Sequence, residues 1–514
     1  MRRTAVAFVL LTLLVVTGAC RKDFGTILST GDLSFSTDTL LLNRVFDDIS
    51  SSTRSFKVYN RSKENISIPH IGLGRGDQSF YRLNIDGVPG KSFENVDILA
   101  KDSIFVFVEA TIDFDFVDPT DFFYRDAIVF DTGMNEQKVS LEALVLDVNL
   151  IRPDRTLETE GFVYETIILG QDDNGAPLGV RGVMLDGDTS FTNEKPYLIY
   201  GYVGVPPNST LTIEAGATLY FHDASGIVVA KDASLNVQGT LDEKVRFEDD
   251  RLEPEFEDVA GLWETIWLRA GSKNNVINHA IIKNSQIGVL VDSSANASPT
   301  LQLKNTAIYN SSNFGILGRE THITGENLVV GSSGQSSLAC TIGGIYNFKH
   351  ATFANYWSAG FRQFPAVLVN NFFTYIDGNT TVIETRDLIE ATFTNCIITG
   401  NQNVEFLVDK VDGSAFTFKV NNSLLKFDTT QETLLNNPNF DFTDTSLYEN
   451  IILNGEADFK DISLNEFQIG EASVAINAAN LGAAALVPLD ILGVDRTQEP
   501  DLGAYQHIVF EEED

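Results

Sequence analysis

The sequence is poor in cysteine, histidine and basic residues, and each shortage argues against a class of protein. Its 514 residues include 3 Cys and 6 His, which leaves no disulfide framework and little room for a structural zinc site. Lys and Arg total 36 against 71 Asp and Glu, giving a formal net charge of −35. Nucleic acids and anionic lipid head groups bind basic surfaces, so neither is an expected partner.

Long hydrophobic runs are also scarce, because the chain has only one, at its N-terminus. Residues 4–19 form an apolar stretch after the basic Arg2 and Arg3, and this stretch is short for a membrane span. The pattern predicts a signal peptide over residues 1–19. With no second such run, we expect the rest of the chain to be extracytoplasmic.

Small residues at positions 17–19 precede Cys20. This sequence resembles the bacterial lipobox, and the resemblance implies cleavage before Cys20, acylation of its thiol and a lipidated tether over residues 20–32. Each buried CH₂ of an acyl chain contributes about 0.8 kcal/mol to membrane anchoring. The charged residues 21–23 resemble the export tags of Bacteroidota surface lipoproteins. We therefore expect an outer-membrane lipoprotein on the periplasmic or cell-surface face, the alternative being an ordinary signal followed by a chance Cys.

Residues 33–150 alternate short β-rich runs with turn signals. Residues 55–59, 103–108 and 127–130 are such runs, and no segment shows a sustained helical period. About seven short strands at this spacing predict a β-sandwich. The region resembles the Ig-like module that precedes other domains in Bacteroidota lipoproteins. Residues 151–189 are then interpreted as a connector.

From residue 190 the predicted strands become shorter, and a five-residue pattern recurs with starts 20 to 27 residues apart. Irregular repeats of this length, rich in β-branched residues and Asn, predict the turns of a parallel β-helix. We expect this structure over residues 190–430, further coils and a cap over residues 431–510, and an acidic tail over residues 511–514. The predicted fold class is all-β.

The second position of the pattern is polar in every copy. Stacked turns would place these side chains above one another, where they hydrogen-bond along the stack and to the backbone. A structural ladder is therefore favoured over catalytic roles for the two histidines. The predicted ladder consists of His279, Thr306, Asn327, His350, Asn370, Asn395 and Asn422.

Residues 261–263 (Gly-Leu-Trp), 266–268 (Ile-Trp-Leu) and 271–277 resemble the pectin-lyase-like right-handed β-helix proteins of Bacteroidota. Residues 471–477, 490–496 and 500–505 resemble the C-terminal segment of such proteins, which belongs to the choice-of-anchor type. The resemblance covers about residues 190–508 and implies a right-handed helix that is closed by a cap.

That superfamily includes polysaccharide lyases and glycoside hydrolases, but the sequence gives little sign of either. The hydrolase patterns Asn-Thr-Asp, Gly-His-Gly and Arg-Ile-Lys are absent, and no column of Asp follows the repeat. A strongly negative chain also repels the anionic glycans that lyases act on.

Two further groups of residues are candidates for ligand binding. The acidic stretch that includes Asp249, Asp250, Glu253 and Glu255 offers oxygen ligands for Ca²⁺, although a solvated loop is favoured and no cofactor is expected. Trp263 and Trp267 lie four apart and are expected on one side of a strand, as a sugar-stacking platform or, preferably, as core. Cys340 and Cys396 are predicted to be buried free thiols.

The sequence therefore favours a lipid-anchored, non-catalytic surface protein for binding or adhesion, with glycan as the expected ligand class. The membrane is reached only through the N-terminal lipid. A polysaccharide lyase or glycoside hydrolase is the first alternative, and a purely structural envelope component is the second. No oligomeric state is indicated.

Overall fold

The computed structural model describes residues 25–159, 161–293 and 298–511. The predicted signal peptide, Cys20 and the first residues of the tether lie outside this range. Strands account for 53% of the structure and helices for 5%, so the protein is all-β as predicted. Among the described residues, no helix has the length and apolarity needed to cross a bilayer.

The chain divides into two compact units after Asp147, close to the boundary predicted at residue 150. The N-terminal unit has two sheets whose buried side chains form one core. In β11, residues 139, 141, 143 and 145 are buried and their neighbours are not, which is the alternation of a sheet with one covered face. The six-stranded sheet contains β1 (Ile27–Leu28), β3 (Thr39–Phe46), β5 (Ile66–Leu73), β8 (Ser92–Ile98), β10 (Phe123–Phe130) and β11 (Gln137–Leu146). The five-stranded sheet contains β2 (Leu33–Phe35), β4 (Arg54–Asn60), β6 (Tyr81–Ile85), β7 (Val88–Gly90) and β9 (Ser103–Ala110).

In the second unit the chain passes repeatedly through three ladders of parallel strands, in the order A, B, C. Ladder A contains β12 (Asn149–Ile151), β18 (Tyr197–Ile199), β21 (Thr218–Phe221), β24 (Val245–Asp249), β27 (Ala280–Lys283), β32 (Thr352–Asn355) and β37 (Ile397–Gly400). Ladder B contains β16 (Pro177–Met184), β19 (Tyr202–Val205), β22 (Gly226–Val229), β25 (Trp263–Leu268), β28 (Ser285–Val291), β33 (Val367–Asn370) and β38 (Phe406–Asp409). Ladder C contains β17 (Thr189–Phe191), β20 (Thr210–Glu214), β23 (Ser234–Gln238), β26 (Asn275–Asn278) and β36 (Leu388–Thr394).

Several long strands bend from one ladder into the next, and other elements branch off the ladders. The long strands are β29 (Leu301–Tyr309), β30 (Phe314–Gly331), β31 (Ser336–Lys349), β39 (Phe416–Leu425) and β40 (Tyr448–Leu453). Three further hairpins pair β13 (Arg155–Glu158) with β14 (Gly161–Tyr164), β34 (Phe372–Asp377) with β35 (Thr380–Thr385), and β41 (Phe459–Asp461) with β42 (Glu466–Ile469). The described residues also include two short helices, α1 (Glu432–Leu435) and α2 (Leu481–Leu486).

The core lies inside the three ladders, where apolar side chains of successive turns are aligned. Register pairs each inward residue of ladder B with an inward residue of the next turn, so one apolar column runs along the stack. β-branched and aromatic residues pack well in such a column, which explains why these short strands form. The column contains Val203, Ile227, Ile266, Val289, Ile316, Leu338, Val367 and Phe406, all fully buried.

The predicted connector, residues 151–189, is not a connector. Three strands in or beside it, β12, β16 and β17, already pair in ladders A, B and C. The β13–β14 hairpin and β15 (Thr166–Gln171), which pairs antiparallel with β16, interrupt this first turn. Because these insertions break the repeat spacing, the sequence pattern places the start of the stack too late.

The predicted cap, within residues 431–510, is two separate structures. Residues 427–448 close the end of the core, where Phe427, Phe440, Phe442 and Tyr448 pack with ring centroids 4.6 to 5.0 Å apart. The remainder, residues 454–511, is here called the C-terminal segment. It covers the outer face of ladder A, with Phe467 and Ala504 packed against Val329 and Ala354. In these later turns the outer side chains of ladder A include Ala307, Val329, Ala354, Ile397 and Leu424, which are apolar, so the side of the stack needs a cover there as well as at its end.

Candidate functional site

One corner of the stack, between ladders C and A, is a single residue in seven consecutive turns. We call it the tight corner. The seven residues all have φ between 42° and 59°, and the flanking pairings align them. Left-handed backbone is costly for most residues and least so for Gly, Asn, Asp and His. The column therefore consists of His279, Asn305, Asn327, His350, Asn395, Asn422 and Asn450.

Five of the seven predicted ladder residues lie in this column, and hydrogen bonds run between turns. The Asn327 Nδ2 donates to the Asn305 Oδ1 over 2.9 Å. The Asn395 Nδ2 lies 2.8 Å from the His350 Nε2. These contacts bind one turn to the next at the corner, which is a structural role.

Two predicted members, Thr306 and Asn370, do not lie in the column. The turn that contains Thr306 places Asn305 at the corner instead, and the Thr306 side chain is buried inside the ladder. A β-branched residue is a poor occupant of left-handed backbone. Asn370 ends β33 at another corner, where its Oδ1 accepts from the Ile342 N–H. The loop 356–366 and the β34–β35 hairpin lengthen this turn, so the sequence pattern counts one turn as two.

The C-terminal segment is attached to the tight corner by polar contacts. Asn480 exchanges two hydrogen bonds with the Asn395 side chain, at 2.7 and 3.1 Å. The fully buried Arg496 donates to the Asn327 Oδ1 and to the backbone oxygens of Gly503 and Ala504. The segment thereby covers the tight corner in its middle turns, at Asn327, His350 and Asn395.

Burial at the tight corner changes the acid–base behaviour of two side chains. Desolvation, with a contribution from Arg496, lowers the pKa of His350 to about 3. Desolvation also lowers the pKa of Arg496 to about 10, and Asp490 and Asp501 partly oppose this effect. His350 is therefore neutral over the whole physiological range and accepts the Asn395 amide as a structural partner.

The corner between ladders A and B differs from the tight corner, because its length varies from turn to turn. In one turn it is the single residue Asn284, and in another it is the loop of residues 250–262. We call it the loop corner. In its middle turns the Asn284 Nδ2 donates to the Asp249 Oδ2 over 2.8 Å, and the Asn310 Nδ2 donates to the Asn284 Oδ1 over 3.4 Å. Asp249 is buried, and desolvation raises its pKa to about 6. This carboxylate begins a second polar ladder.

The other acids of the predicted calcium loop have separate partners. Asp250 contacts the His222 Nδ1 at 2.7 Å, and Glu253 pairs with Arg251 at 3.2 Å. Glu255 lies on a 3₁₀ turn and is exposed. In the part of the chain that the structure describes, no group of three or more His, Cys, Asp or Glu is placed to hold a metal ion.

Trp263 and Trp267 do not form a platform, because they lie on opposite faces of β25. A register shift between Thr265 and Ile266 interrupts the alternation of the strand. Trp263 is fully buried and stacks on Phe221, with ring centroids 4.4 Å apart. Trp267 faces outward, packs beside the β15–β16 hairpin and donates to Asp292 over 2.7 Å. The expectation that both project to one side is wrong.

The two cysteines of the stack, Cys340 and Cys396, are buried free thiols, as predicted. Burial raises the pKa of the Cys396 thiol to about 12, so neither chemistry nor disulfide exchange is expected there.

A pocket of about 520 Å³ opens at the loop corner of the late turns. We call it the amide pocket. Its polar lining consists of Gln363, Asn401, Gln402, Asn403 and Gln431, and its apolar lining of Pro365, Val404, Leu407 and Leu434. Gln363 and Asn403 are exposed, so their amides are available to a ligand. No lining residue is charged, although the chain carries 107 charged side chains (36 basic and 71 acidic).

A buried ion pair holds the two loops that form the amide pocket, residues 356–366 and 401–405. Arg362 donates two hydrogen bonds to the Glu405 carboxylate, and the two side chains are almost completely buried. Arg362 also donates to the Asn401 Oδ1 over 2.8 Å, while Glu405 accepts from the Gln402 and Ala366 N–H groups. The loops are therefore fixed before any ligand arrives.

The same loop carries an exposed aromatic ring. Phe361, two residues before Gln363, is 89% exposed. The half-buried Trp357 lies on this loop too, and its carbonyl oxygen accepts from the Asn401 Nδ2 over 2.6 Å. Sequence reasoning missed this region, although the run Asn-Gln-Asn at 401–403 and the aromatic pair at 357 and 361 were visible signals.

A scan against protein-family models and a search of curated proteins each found no match to this chain.

Proposed function

We propose that this protein is a lipid-anchored envelope protein that binds an uncharged glycan in the amide pocket. One observation carries the proposal: a preformed pocket without charged residues, next to an exposed ring, in a chain of net charge −35. Amide groups donate to and accept from sugar hydroxyls. An aromatic ring offers the apolar face on which a sugar ring stacks. A glycan without charge is not repelled by the acidic surface.

The proposal includes the finer fold. The second unit is a right-handed parallel β-helix, and the three ladders with turn-by-turn register support it. Parallel strands joined by crossovers are right-handed in about 98% of cases, which supports the hand. The N-terminal unit is an Ig-like spacer, supported by its two sheets around one core.

The lipid anchor is tested at Cys20. Cys20→Ala should keep the uncleaved signal and abolish the incorporation of labelled fatty acid into the protein. A control variant, Cys340→Ala, should be cleaved and labelled as the wild type. Equal labelling of Cys20→Ala and the wild type would refute the anchor while leaving glycan binding untouched.

Ligand binding is tested on a glycan array and by titration calorimetry with the full chain in a detergent that contains no sugar. We expect neutral oligosaccharides to bind and pectin and alginate fragments not to bind. Phe361→Ala and Asn403→Ala should each weaken affinity about tenfold, the equivalent of one contact of about 1.4 kcal/mol. The matched controls, Phe162→Ala and Asn174→Ala, change an exposed ring and an exposed amide elsewhere in the second unit.

If the pocket variants bind with the same affinity as the controls, the assignment of glycan binding to the amide pocket is wrong. Preference for charged glycans over neutral ones would contradict the ligand class.

A further inference from the structure

The hairpin of β34 and β35 is inserted in a late turn of the stack, between β33 of ladder B and β36 of ladder C. Its strands are joined by a two-residue turn in which Gly378 has a φ of 59°. The two strands form a sheet of their own and pair with no other described strand. A two-stranded hairpin is marginally stable alone in water, so packing of one face against another surface would stabilise it.

The base of the hairpin is fixed to the stack. The Arg386 N–H donates to the Asn371 carbonyl oxygen over 2.8 Å, and the buried Asn371 side chain exchanges two hydrogen bonds of 2.9 Å with the backbone of Val411. The Ser414 hydroxyl donates to the Thr385 Oγ1 over 2.7 Å. The direction of the two strands relative to the stack is therefore set before any partner arrives.

One face of the hairpin is occupied by its own contacts. Paired residues share a face, so Phe373, Tyr375 and Glu384 lie together. The rings of Phe373 and Tyr375 have centroids 5.8 Å apart, and the Tyr375 hydroxyl donates to the Glu384 carboxylate over 3.1 Å. Arg386 pairs with Glu384 at 2.9 Å, and its guanidinium lies 5.6 Å from the centroid of the Phe373 ring.

The opposite face, here called the isoleucine face, consists of Thr374, Ile376, Thr381 and Ile383. Ile376 is 77% exposed and Ile383 is 52% exposed, and both threonines are exposed as well. None of the four side chains carries a charge. Uncharged β-branched residues gathered on one side of a sheet are typical of a surface that packs against another surface.

Charge identifies the partner of this face. The chain has a net charge of −35, so two copies repel each other except where acids are scarce. Residues 371–383 contain one charged residue, Asp377, and it lies on the face opposite to the isoleucine face. A basic partner would be attracted to the acidic surface, whereas an uncharged apolar face matches a second copy of itself. Because none of its residues is charged, contact of the face with itself places no like charges opposite each other.

We propose that the isoleucine face packs against the same face of a second copy of this chain, related by a two-fold axis. Ile376 and Ile383 of each copy then lie between two hairpins, and four strands enclose a small apolar core. A standard interface buries about 800 Å² per partner, and one face of two six-residue strands is smaller. The dimer should therefore be weak, with a dissociation constant on the order of 100 µM.

Sedimentation equilibrium of the full chain, in a sugar-free detergent matched in density to the solvent, measures association up to a concentration of about 1 mM. We expect the wild type to convert from monomer to dimer. Ile376→Asp and Ile383→Asp each place a carboxylate at the centre of the contact and should weaken association by at least about tenfold. The matched control, Leu464→Asp, changes a residue that is 62% exposed in the turn of the β41–β42 hairpin and should associate as the wild type. Circular dichroism of each variant establishes that it is folded.

Crosslinking locates the contact. Thr374→Cys lies on the isoleucine face and Thr380→Cys on the opposite face, and both positions are exposed. A short bis-maleimide should join two copies of Thr374→Cys under conditions that leave Thr380→Cys unlinked, since the resident Cys340 and Cys396 are buried.

Equal crosslinking of the two cysteine variants, or association that survives both aspartate substitutions, would overturn the proposal. A chain that stays monomeric throughout the series would also overturn it, whether the face then proves to hold a lipid surface or another protein. The glycan affinity of Ile376→Asp should equal that of the wild type, which separates this surface from the amide pocket.

Discussion

The tight corner and the loop corner belong to the same turns of one stack, yet they differ in almost every respect. At the tight corner each turn uses one residue with left-handed backbone, and the C-terminal segment covers Asn395 and Asn327. At the loop corner the connection lengthens to residues 250–262 and 356–366, and two pockets open. Insertions are tolerated where no neighbouring column must stay in register. Polar residues at the tight corner therefore stabilise the stack, while at the loop corner the exposed amides of the long loops are available for ligands.

The largest effect is expected from the buried ion pair of the loop corner. Arg362→Ala leaves the Glu405 carboxylate buried without its cation and should lower the free energy of unfolding by about 3–5 kcal/mol. The amide pocket should lose its shape and its affinity. Denaturant unfolding measures the first effect and calorimetry the second.

The matched control for this variant is Arg386→Ala, which removes a partly exposed pair with Glu384. Its effect on unfolding should be far smaller. Equal losses for the two variants would mean that burial of the pair does not hold the loops.

A smaller effect is expected at the tight corner. Asn395→Ala removes three side-chain hydrogen bonds, to His350 and Asn480, at a fully buried position. The free energy of unfolding should fall by about 1–3 kcal/mol. Asn450→Ala changes an exposed member of the same column, with almost the same φ, and should cost less. Equal costs would assign the role of the column to backbone conformation alone.

The two corners should also contribute differently to the pH dependence of stability. His350 has a folded pKa of about 3 against 6.5 for the ordinary side chain. Between these values the unfolded chain binds a proton that the folded chain does not, so stability falls as the pH decreases from 6.5. The loss at pH 5 should be about 2 kcal/mol relative to pH 7. His350→Asn, which suits the corner and does not titrate, should remove that loss in thermal unfolding between pH 7 and 5.

The smallest predicted effect has the opposite sign. Burial raises the folded pKa of Asp249 to about 6, from 3.8. The folded chain then binds the proton first, and this group destabilises the fold more at pH 7 than at pH 5, by about 1 kcal/mol. Asp249→Asn should therefore raise stability at pH 7 more than at pH 5. A variant that is destabilised at pH 7 would show that the charge of Asp249 is needed by its partner Asn284.

The sequence predicts the periodic parts of this molecule and misses its irregular parts. The polar position at 279, 327, 350, 395 and 422 was visible because left-handed backbone and stacking both demand Asn or His there. At Thr306 the predicted corner position was wrong by one residue. The inserted loop and hairpin lengthen the turn that contains Asn370, so the sequence pattern counted it as a separate turn. The register shift after Thr265 turns the Trp267 side chain to the opposite face of β25 from Trp263. The alternation of side chains along a strand does not predict such a shift.

The pockets could not be predicted because their residues are distant in the chain. Gln363 and Gln402 meet only after the ladders bring two loops of successive turns together. His222, in the turn after β21, and Glu264, on β25, line one pocket because β22 pairs with β25. Each was present in the sequence as an isolated polar residue, and the fold alone makes each a member of a site.

The most direct test of the contrast between the corners is hydrogen exchange of the full chain with and without the neutral oligosaccharide that binds most tightly on the array. The account predicts that exchange slows in residues 356–366 and 401–405, while the tight corner at residues 395 and 422 exchanges as before. Slowing confined to the tight corner, or exchange at the loop corner that is unchanged at saturating ligand, would contradict the assignment of binding to the loop corner.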